Sequence, residues 1–553
     1  MKNHSVLWIL RSIRRRLPAI ALLTAAQVGN ALFGVFFALG SRGVIDSAVA
    51  GDPERFLRAC CVQGSIIAGI LICLTLSRHL RDRLFADLER DWKEKLLHGL
   101  LHGEYAAVSG YHSGELLNRL NNDVAKVNDG ILSILPGFAA MATKLIAAVV
   151  VLGVLDARFT ALVAALGTVV VVATAFMRRW LKELNKRVSQ LDGKVSGFLQ
   201  EVMEKLLMVQ AMDVSEEVEH RSGALLAERY ELQRKRKNVS LITNTGISLM
   251  YYGAGFAALC WCGFRLLMGQ MSFGSLTAVI QLVNQLQTPF VNLSGILPQY
   301  VAMTASAERL MELEAIAGEP VPRAGEPRAV YASARAIEAE NLTFSYDRDV
   351  ILDGATFSLP KGAFAVITGP SGIGKSTLLK LLLGIFRGDS GRLSLCCSSG
   401  RIPLDRSTRQ LFAYVPQGNL LLSGTLRENL TIVKPGATEA EIRTALYVSC
   451  MEDFLPQLPQ GLETVLGESG MGLSEGQAQR LAIGRAVLGG APILLLDECT
   501  SALDAGTERK VLERLKALPD RTTVAVTHRN AAMELADWRL EVEHGKIHAK
   551  PSR

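Results

Sequence analysis

The chain predicts a multi-domain fold class: an all-α six-helix transmembrane domain with long cytoplasmic helix extensions, followed by an α/β phosphate-loop domain. Three observations carry this. Six apolar runs, at residues 18–41, 59–77, 131–155, 159–176, 245–268 and 272–297, each come close to the roughly 20 helical residues that a bilayer core requires. Beyond residue 318 the pattern changes to short β-rich runs between helical ones, such as Phe364 to Thr368 and Ile493 to Leu496. Directly after the first of these strands, Gly369-Pro370-Ser371-Gly372-Ile373-Gly374-Lys375-Ser376-Thr377 fits G-x-x-x-x-G-K-[ST].

Composition agrees. At 553 residues the chain exceeds one ordinary domain of roughly 150 residues. It is 49% hydrophobic and 20% charged, with a mean hydropathy of +0.24, so part of it belongs in a membrane. The net charge of +7 gathers beside the apolar runs, as cytoplasmic flanks of membrane spans do, and is read as topology with no nucleic-acid partner. The nine cysteines show neither a zinc spacing nor a disulfide-scaffold density and are read as free thiols. Cys260 and Cys262, inside an apolar run, are read as small buried residues.

In order, residues 5–17 set Trp8 and Ile9 beside Arg11, Arg14, Arg15 and Arg16, a basic amphipathic pattern suited to a membrane surface. The first apolar run is too long for a signal peptide's core of about 7 to 15 residues, so it reads as an uncleaved span. A short polar loop with Asp46, Asp52 and Glu54 leads to the second span. The charged stretch from Arg78 to Asn128 keeps helical spacing through Leu84, Leu88, Trp92 and Leu96, so helices continue into the cytoplasm. Asp156-Ala157-Arg158 forms a tight external turn between the third and fourth spans. After a second charged helical stretch, 177–240, Gly269-Gln270-Met271-Ser272 turns the fifth span into the sixth. The long internal excursions are rich in Lys and Arg, which sets both chain ends inside. Pro320, Pro322, Gly325 and Pro327 mark a loop-like boundary. The expected domains are residues 1–317 in the membrane part, 318–336 as linker and 337–553 as the phosphate-loop part.

The loop itself implies a nucleoside triphosphate. Its glycines let main-chain N–H groups face phosphate oxygens, and the helix opening at Lys375 adds its positive end. Lys375 reaches the β- and γ-phosphates, while the Ser376 hydroxyl stands where a Mg²⁺ ion between those phosphates needs an oxygen. Downstream, the strand Ile493 to Leu496 delivers Asp497 and Glu498 at its C-terminal end, where open α/β sheets hold ligands. Asp497 is placed for the Mg²⁺ shell, and Glu498 to orient and polarise an attacking water. His528, following the strand Thr523 to Thr527, is a candidate partner of the γ-phosphate.

These residues resemble the ATP-binding cassette (ABC) transporters, over nearly the whole chain. The most specific element, Leu473-Ser474-Glu475-Gly476-Gln477-Ala478-Gln479-Arg480, looks like the family signature, which implies that Ser474, Gly476 and Gln477 contact the γ-phosphate held by a partner domain. Glu475 stands where the pattern has glycine. In a first helical turn its carboxylate gains roughly 0.3 to 1 kcal/mol from the helix dipole, so it is expected to turn aside into solvent. By the same resemblance Tyr346 stacks on adenine, and Gln417 touches Mg²⁺ and senses the membrane part. Ser501-Ala502-Leu503-Asp504 links the two sites, and Thr464 to Gly470 is a short coupling segment. The first half resembles a six-span exporter-type half-transporter. Ser113-Gly114-Glu115-Leu116-Leu117-Asn118-Arg119-Leu120 matches its first intracellular region, and residues near 103–112 and 205–214 are expected as short helices that press on the nucleotide domains.

The resemblance implies an ATPase with ATP and Mg²⁺, coupled to transport by alternating access in a bacterial inner membrane. The partner is a second copy, with a homologous half-transporter as the alternative, because this chain retains both Glu498 and the Ser474-x-Gly476-Gln477 core. Import of a metal-chelate complex and ATP gating of a channel are the competing activities; with no peptidase-like segment ahead of the first span, leader-peptide export is not expected. Gln281, Asn284, Gln285, Thr288 and Asn292 lie on one face of the sixth span, joined by Gln27 and Asn30 of the first. No Asp or Glu falls in the centre of any span, which suits a neutral or amphiphilic cargo such as a peptide-like, lipid-like or drug-like molecule. The competing use of the amides is bonding helix to helix.

Overall fold

The computed structural model describes residues 2–318, 327–346, 349–398, 400–418, 421–467 and 472–552, without the side chains of residues 2, 3, 164, 166–182, 247, 250, 251, 287–295 and 297. The chain divides into two compact units: Met1–His98 with Ser113–Ala315, and Gly99–His112 with Ile316–Arg553.

The first unit is helical. Helix α1 (Lys2–Ser12) precedes α2 (Leu17–Val49) and α3 (Pro53–His102). Helix α4 (Tyr105–Ser109) belongs to the second unit. Helix α5 (Ser113–Asn118) then runs through a wider turn, Arg119–Asp123, into α6 (Val124–Leu155), followed by α7 (Ala157–Glu204), α8 (Leu206–Ala211), α9 (Ser215–Leu267) and α10 (Phe273–Glu314). The six apolar runs fall in α2, α3, α6, α7, α9 and α10. Among the described residues, Arg14–Val49, Pro53–His102 and Ser113–Leu155 are long and apolar enough to cross a membrane, and Tyr252–Leu267 is a shorter apolar helix. Most side chains of the expected fourth span, and those of Thr288 and Asn292 in the sixth, lie outside the described residues.

Two carboxylates tie the helix ends together. Asp156 caps α7 by accepting the N–H groups of Arg158 and Phe159, each at 3.1 Å, and also accepts from Trp261 Nε1 at 3.1 Å and Arg265 at 2.5 Å on α9. Asp46 accepts from Ser272 Oγ and from the N–H of Gly274, both at 2.9 Å, at the start of α10. Asp46 therefore lies inside α2, not in the polar loop where the sequence alone put it; its burden of charge is met by α10, so the helix runs on to Val49. Along α3, Leu84, Leu88, Trp92 and Leu96 are all buried, as their spacing of four requires. Trp8 of α1 packs on Trp92 with ring centroids 4.6 Å apart and donates to Glu314 at 2.6 Å, so protein takes up part of the amphipathic helix read as a surface segment.

The second unit opens, past residues 319–326 of the expected linker, which lie outside the described residues, on a short helix α11 (Pro327–Ala332). One antiparallel sheet joins β1 (Ala334–Tyr346), β2 (Asp349–Pro360), β4 (Ser390–Cys397) and β5 (Gly400–Pro403) in the order β2-β1-β4-β5. The main sheet comprises β3 (Phe364–Thr368), β6 (Phe412–Val415), β9 (Ile493–Asp497), β10 (Thr522–Val526), β11 (Trp538–Glu543) and β12 (Lys546–Pro551), ordered β12-β11-β3-β10-β9-β6. A two-stranded ribbon pairs β7 (Gly424–Thr425) with β8 (Val465–Leu466). Helices α12 (Lys375–Leu382), α13 (Leu426–Thr431), α14 (Glu439–Val448), α15 (Glu475–Leu488), α16 (Ala505–Lys516) and α17 (Asn530–Leu535) complete it. Strands β3, β9 and β10 are almost wholly apolar and buried, as parallel strands covered on both faces must be. Among the described residues the interior divides into clusters, two of which position the site. One gathers Leu378, Leu379 and Leu382 of α12 with β1, β2 and β3. The other gathers Ala478, Leu481 and Ile483 of α15 with Leu426, Leu430 and Ile442.

Candidate nucleotide site

Strands β11, β3, β10, β9 and β6 run parallel, and their register levels the C-terminal ends: Ile367 pairs with Val526, Val526 with Asp497, and Val415 with Leu496. Sequence segments more than a hundred residues apart thereby meet at one edge. The loop Gly369–Gly374 leaves β3, Asp497 and Glu498 end β9, His528 follows β10, and Gln417 follows β6. This is where α/β sheets of open order hold ligands.

The loop's shape depends on missing side chains. Gly369, Gly372 and Gly374 have φ of 147°, 81° and 104°, a region that glycine enters freely. A Cβ on Gly374 would stand 2.2 Å from Ile351 Cγ2, and one on Gly369 2.6 Å from the Val542 carbonyl oxygen. Pro370, Ser371 and Ile373 complete the curve into α12. Lys375 is buried, and its ammonium donates to the carbonyls of Gly369 and Pro370 at 2.8 Å each, a charge held over the loop's mouth. Ser376 Oγ donates to Asp497 Oδ1 at 2.9 Å, and Tyr414 donates to Asp497 Oδ2 at 3.1 Å. Burial raises the Asp497 carboxyl above its ordinary value, and the Ser376 and Tyr414 hydrogen bonds pull it back only in part. A hydroxyl and a carboxylate this close, at the loop's end, form the all-oxygen donor set that suits Mg²⁺.

Glu498 sits at φ 47°, the left-handed region that disfavours a side chain of its size, and its carboxylate accepts from Gln417 Nε2 at 2.8 Å. His528 is exposed beside it in the sheet order. Tyr346 ends β1 with its hydroxyl 3.4 Å from Thr377 Oγ1, and its ring lies edge-on to Phe344 at 5.0 Å and to Phe386 at 5.4 Å. Tyr105 of α4 packs on the same Phe386 at 6.0 Å, while the Glu104 N–H donates to Ala317. The residue 103–112 segment thus lies within the nucleotide unit, next to the aromatic proposed for adenine. Residues 206–211 are helical as expected, in the other unit.

Ser474 caps α15 through a reciprocal box with Gln477. Gly476 approaches the Ala502 carbonyl so closely that a Cβ would lie 2.8 Å from it. Glu475 is exposed in the first turn of α15. The helix that the signature opens, α15, thus packs on the second cluster, whereas α12, which Lys375 opens, packs on the first. Of the coupling segment Thr464 to Gly470, residues 468–470 lie outside the described residues. Asp504 caps α16 by accepting from Gly506 and Thr507.

Three residues that sequence reasoning passed over hold this region in shape. Gln479 donates to Ser501 Oγ at 3.0 Å and accepts from the Ala502 N–H at 3.1 Å. Arg529 donates to the carbonyls of Ser501 and Leu503 and to buried Glu508, which also accepts from Thr500 Oγ1 at 2.9 Å. Arg529 adjoins His528, and Gln479 lies within the quoted signature, so adjacency to a motif was the available signal.

Fold and site define a membrane-embedded helical protein carrying its own phosphate-loop ATPase domain. The family model of the ABC transporter transmembrane region matches residues 19–290, and the model described as ABC transporter matches residues 352–501. The chain belongs to the ABC transporter family, as an ATPase coupled to transport. It is 33% identical over 377 residues to the mycobactin import ATP-binding/permease protein IrtB of Mycolicibacterium thermoresistibile, covering 66% of this chain and 64% of that one. It is 28% identical over 485 residues to an ATM1-type heavy metal exporter of Novosphingobium aromaticivorans, covering 85% and 76% of the two chains. A solved structure of a bacterial Atm1-family ABC exporter with ATP bound shares the fold, with a TM-score of 0.78 at 23% identity over 98% of this chain and 95% of the other.

Proposed function

We propose that this chain is half of an ATP-driven exporter of a neutral or amphiphilic molecule, working as a homodimer by alternating access in a bacterial inner membrane. The observation that carries the ATP half is the meeting of Ser376, Asp497, Glu498 and Gln417 at one sheet edge. Mg²⁺, when bound, supplies charge neutralisation between the phosphates. Ser376 and Asp497 would hold it, with Gln417 beside them. Lys375 binds the phosphates, Glu498 positions and polarises water, His528 donates to the γ-phosphate, and Tyr346 carries the adenine. Because α15, which carries Ser474, Gly476 and Gln477 at its start, packs on a different cluster from α12, the signature of one copy is assigned to the site of the other. Residues 1–317 serve as the membrane part and 337–553 as the ATPase part.

The relationship to a mycobactin import protein supports a second reading, inward movement of a metal chelate, on the same architecture. Transport into inside-out vesicles separates the two. An exporter accumulates cargo on addition of ATP, whereas an importer depletes preloaded vesicles.

A further inference from the structure

Lys144 is the one charged residue in the centre of any of the six apolar runs. It lies 11 residues before the Leu155 end of α6, about 16 Å in at 1.5 Å per residue. It is about 20 Å from the other end of its run, so its side chain cannot reach headgroups on either side. Its direction follows from helix geometry. The exposed apolar side chains Leu135, Phe138, Ile146 and Val150 cluster on the far side of α6, centred about 180° from Lys144. One turn along on the Lys144 side, Ala148 is 0% exposed and packs with Val35 and Ala38 of α2 and Leu282, Val283 and Leu286 of α10. Lys144 is half-buried and faces this seam, with no hydrogen-bond or ion-pair partner among the described residues.

Acceptors without partners lie on α10 at a comparable depth. Gln281 Oε1 and Gln285 Oε1 of α10 are buried without a hydrogen-bond partner. They lie 8 and 12 residues past Phe273, about 12 and 18 Å in from the same side as Lys144. That the sides agree follows from Asp156, which ties the α6–α7 junction to the end of α9, from which α10 begins. A cation at this depth is costly unless paired. A second copy of the chain has no acid in the centre of its own spans to offer. An anionic group on what is carried would supply the counter-charge.

We infer that Lys144 is a binding residue for an anionic group, a carboxylate or phosphate, on a transported amphiphile whose N–H or O–H donors meet Gln281 and Gln285. This rests on the transport reading above and narrows it, from neutral or amphiphilic cargo to acidic amphiphiles with amide or hydroxyl donors. An ammonium–carboxylate contact away from water gives discrimination of about tenfold or more against the uncharged analogue.

The test uses the full dimer in nanodiscs of neutral lipid, with the fluorescent fatty acid dansylaminoundecanoic acid and its methyl ester as paired probes. Both keep the same apolar body and N–H donor. The parent is expected to bind the acid at least about tenfold more tightly than the ester, Lys144→Gln to equalise the two by weakening only the acid, and Lys144→Arg to keep the preference. Equal binding of acid and ester by the parent, no saturable binding of the acid, or a preference retained in Lys144→Gln would each overturn the inference. If Lys144→Gln lowers thermal stability, Lys144→Arg decides: loss of acid preference in a folded Arg variant also overturns it. ATP-driven transport is read separately in inside-out vesicles. Absent transport with acid preference intact would remove the export reading and leave the site, while transport without acid preference would do the reverse.

Discussion

Gln417 and Glu498, at the ends of β6 and β9, are joined by a hydrogen bond of 2.8 Å in which the amide donates to the carboxylate. Gln417 therefore holds one oxygen of the group proposed to polarise water and leaves the other to accept a water proton. Glu498→Gln keeps the shape and removes the charge. Hydrolysis should fall by about a hundredfold or more while ATP binding persists, and ATP should trap the closed dimer. Turnover comparable to the parent in a phosphate-release assay rejects the assignment.

Lys375 spends its three donors partly on the Gly369 and Pro370 carbonyls, and so is already aimed into the curve of the loop. Lys375→Ala should weaken binding itself, by about ten- to hundredfold for loss of a charged hydrogen bond. Equilibrium binding of a fluorescent ATP analogue reads this, and an unchanged Kd with lost turnover would move Lys375 from binding to chemistry alone.

Much of this site was legible because its information is local. The phosphate loop, the Asp497-Glu498 pair and the spacing of Leu84, Leu88, Trp92 and Leu96 are each set by neighbours a few positions apart. Asp46 lies in α2 and not in a loop, and Asp156 sits in its turn as expected, but the bonds both make to other helices are not legible, since their partners lie 226 and 109 residues away and only the folded helices bring them near. Gln479 and Arg529 were passed over for the same reason. Lys144 is equally local, a lone cation in an apolar run, and carries the same desolvation cost as a buried acid.

Glu475 and Gly476 are neighbours with opposite tolerances. Glu475 is exposed at the start of α15, so Glu475→Gly should change ATPase activity by no more than several-fold, and a hundredfold loss would assign the carboxylate a direct role. Gly476→Ala puts a methyl 2.8 Å from the Ala502 carbonyl, a backbone atom that cannot swing away. The loop linking the sites must then shift, and steady-state hydrolysis should drop by about tenfold or more even though Lys375 is untouched.

Glu508 is 2% exposed and accepts from both Thr500 and Arg529. Glu508→Ala strands a buried hydroxyl and removes the carboxylate partner of Arg529, which then keeps only the Ser501 and Leu503 carbonyls. The variant should lose about 1 to 3 kcal/mol of stability. Because Arg529 also fixes the loop next to His528, hydrolysis should fall further than the melting shift explains. A full-rate Glu508→Ala enzyme with a lowered melting temperature would confine the network to stability.

The amides of α10 divide by their contacts. Gln285 Nε2 donates to the Gly34 carbonyl of α2 at 2.8 Å, a bond from helix to helix, whereas Asn284 is exposed one position away. Only the first supports the packing use of such groups. Gln285→Leu should therefore lower the thermal stability of the folded chain, because the tie it removes joins α2 and α10 of one copy. Asn284→Leu should assemble normally and alter which compounds stimulate ATP hydrolysis in lipid. Thr288 and Asn292, beyond the described side chains, continue the same face by spacing. Should Asn284→Leu keep the parent's stimulation profile while Gln285→Leu changes it, the cargo-facing surface of α10 would be confined to the side of Gln281 and Gln285.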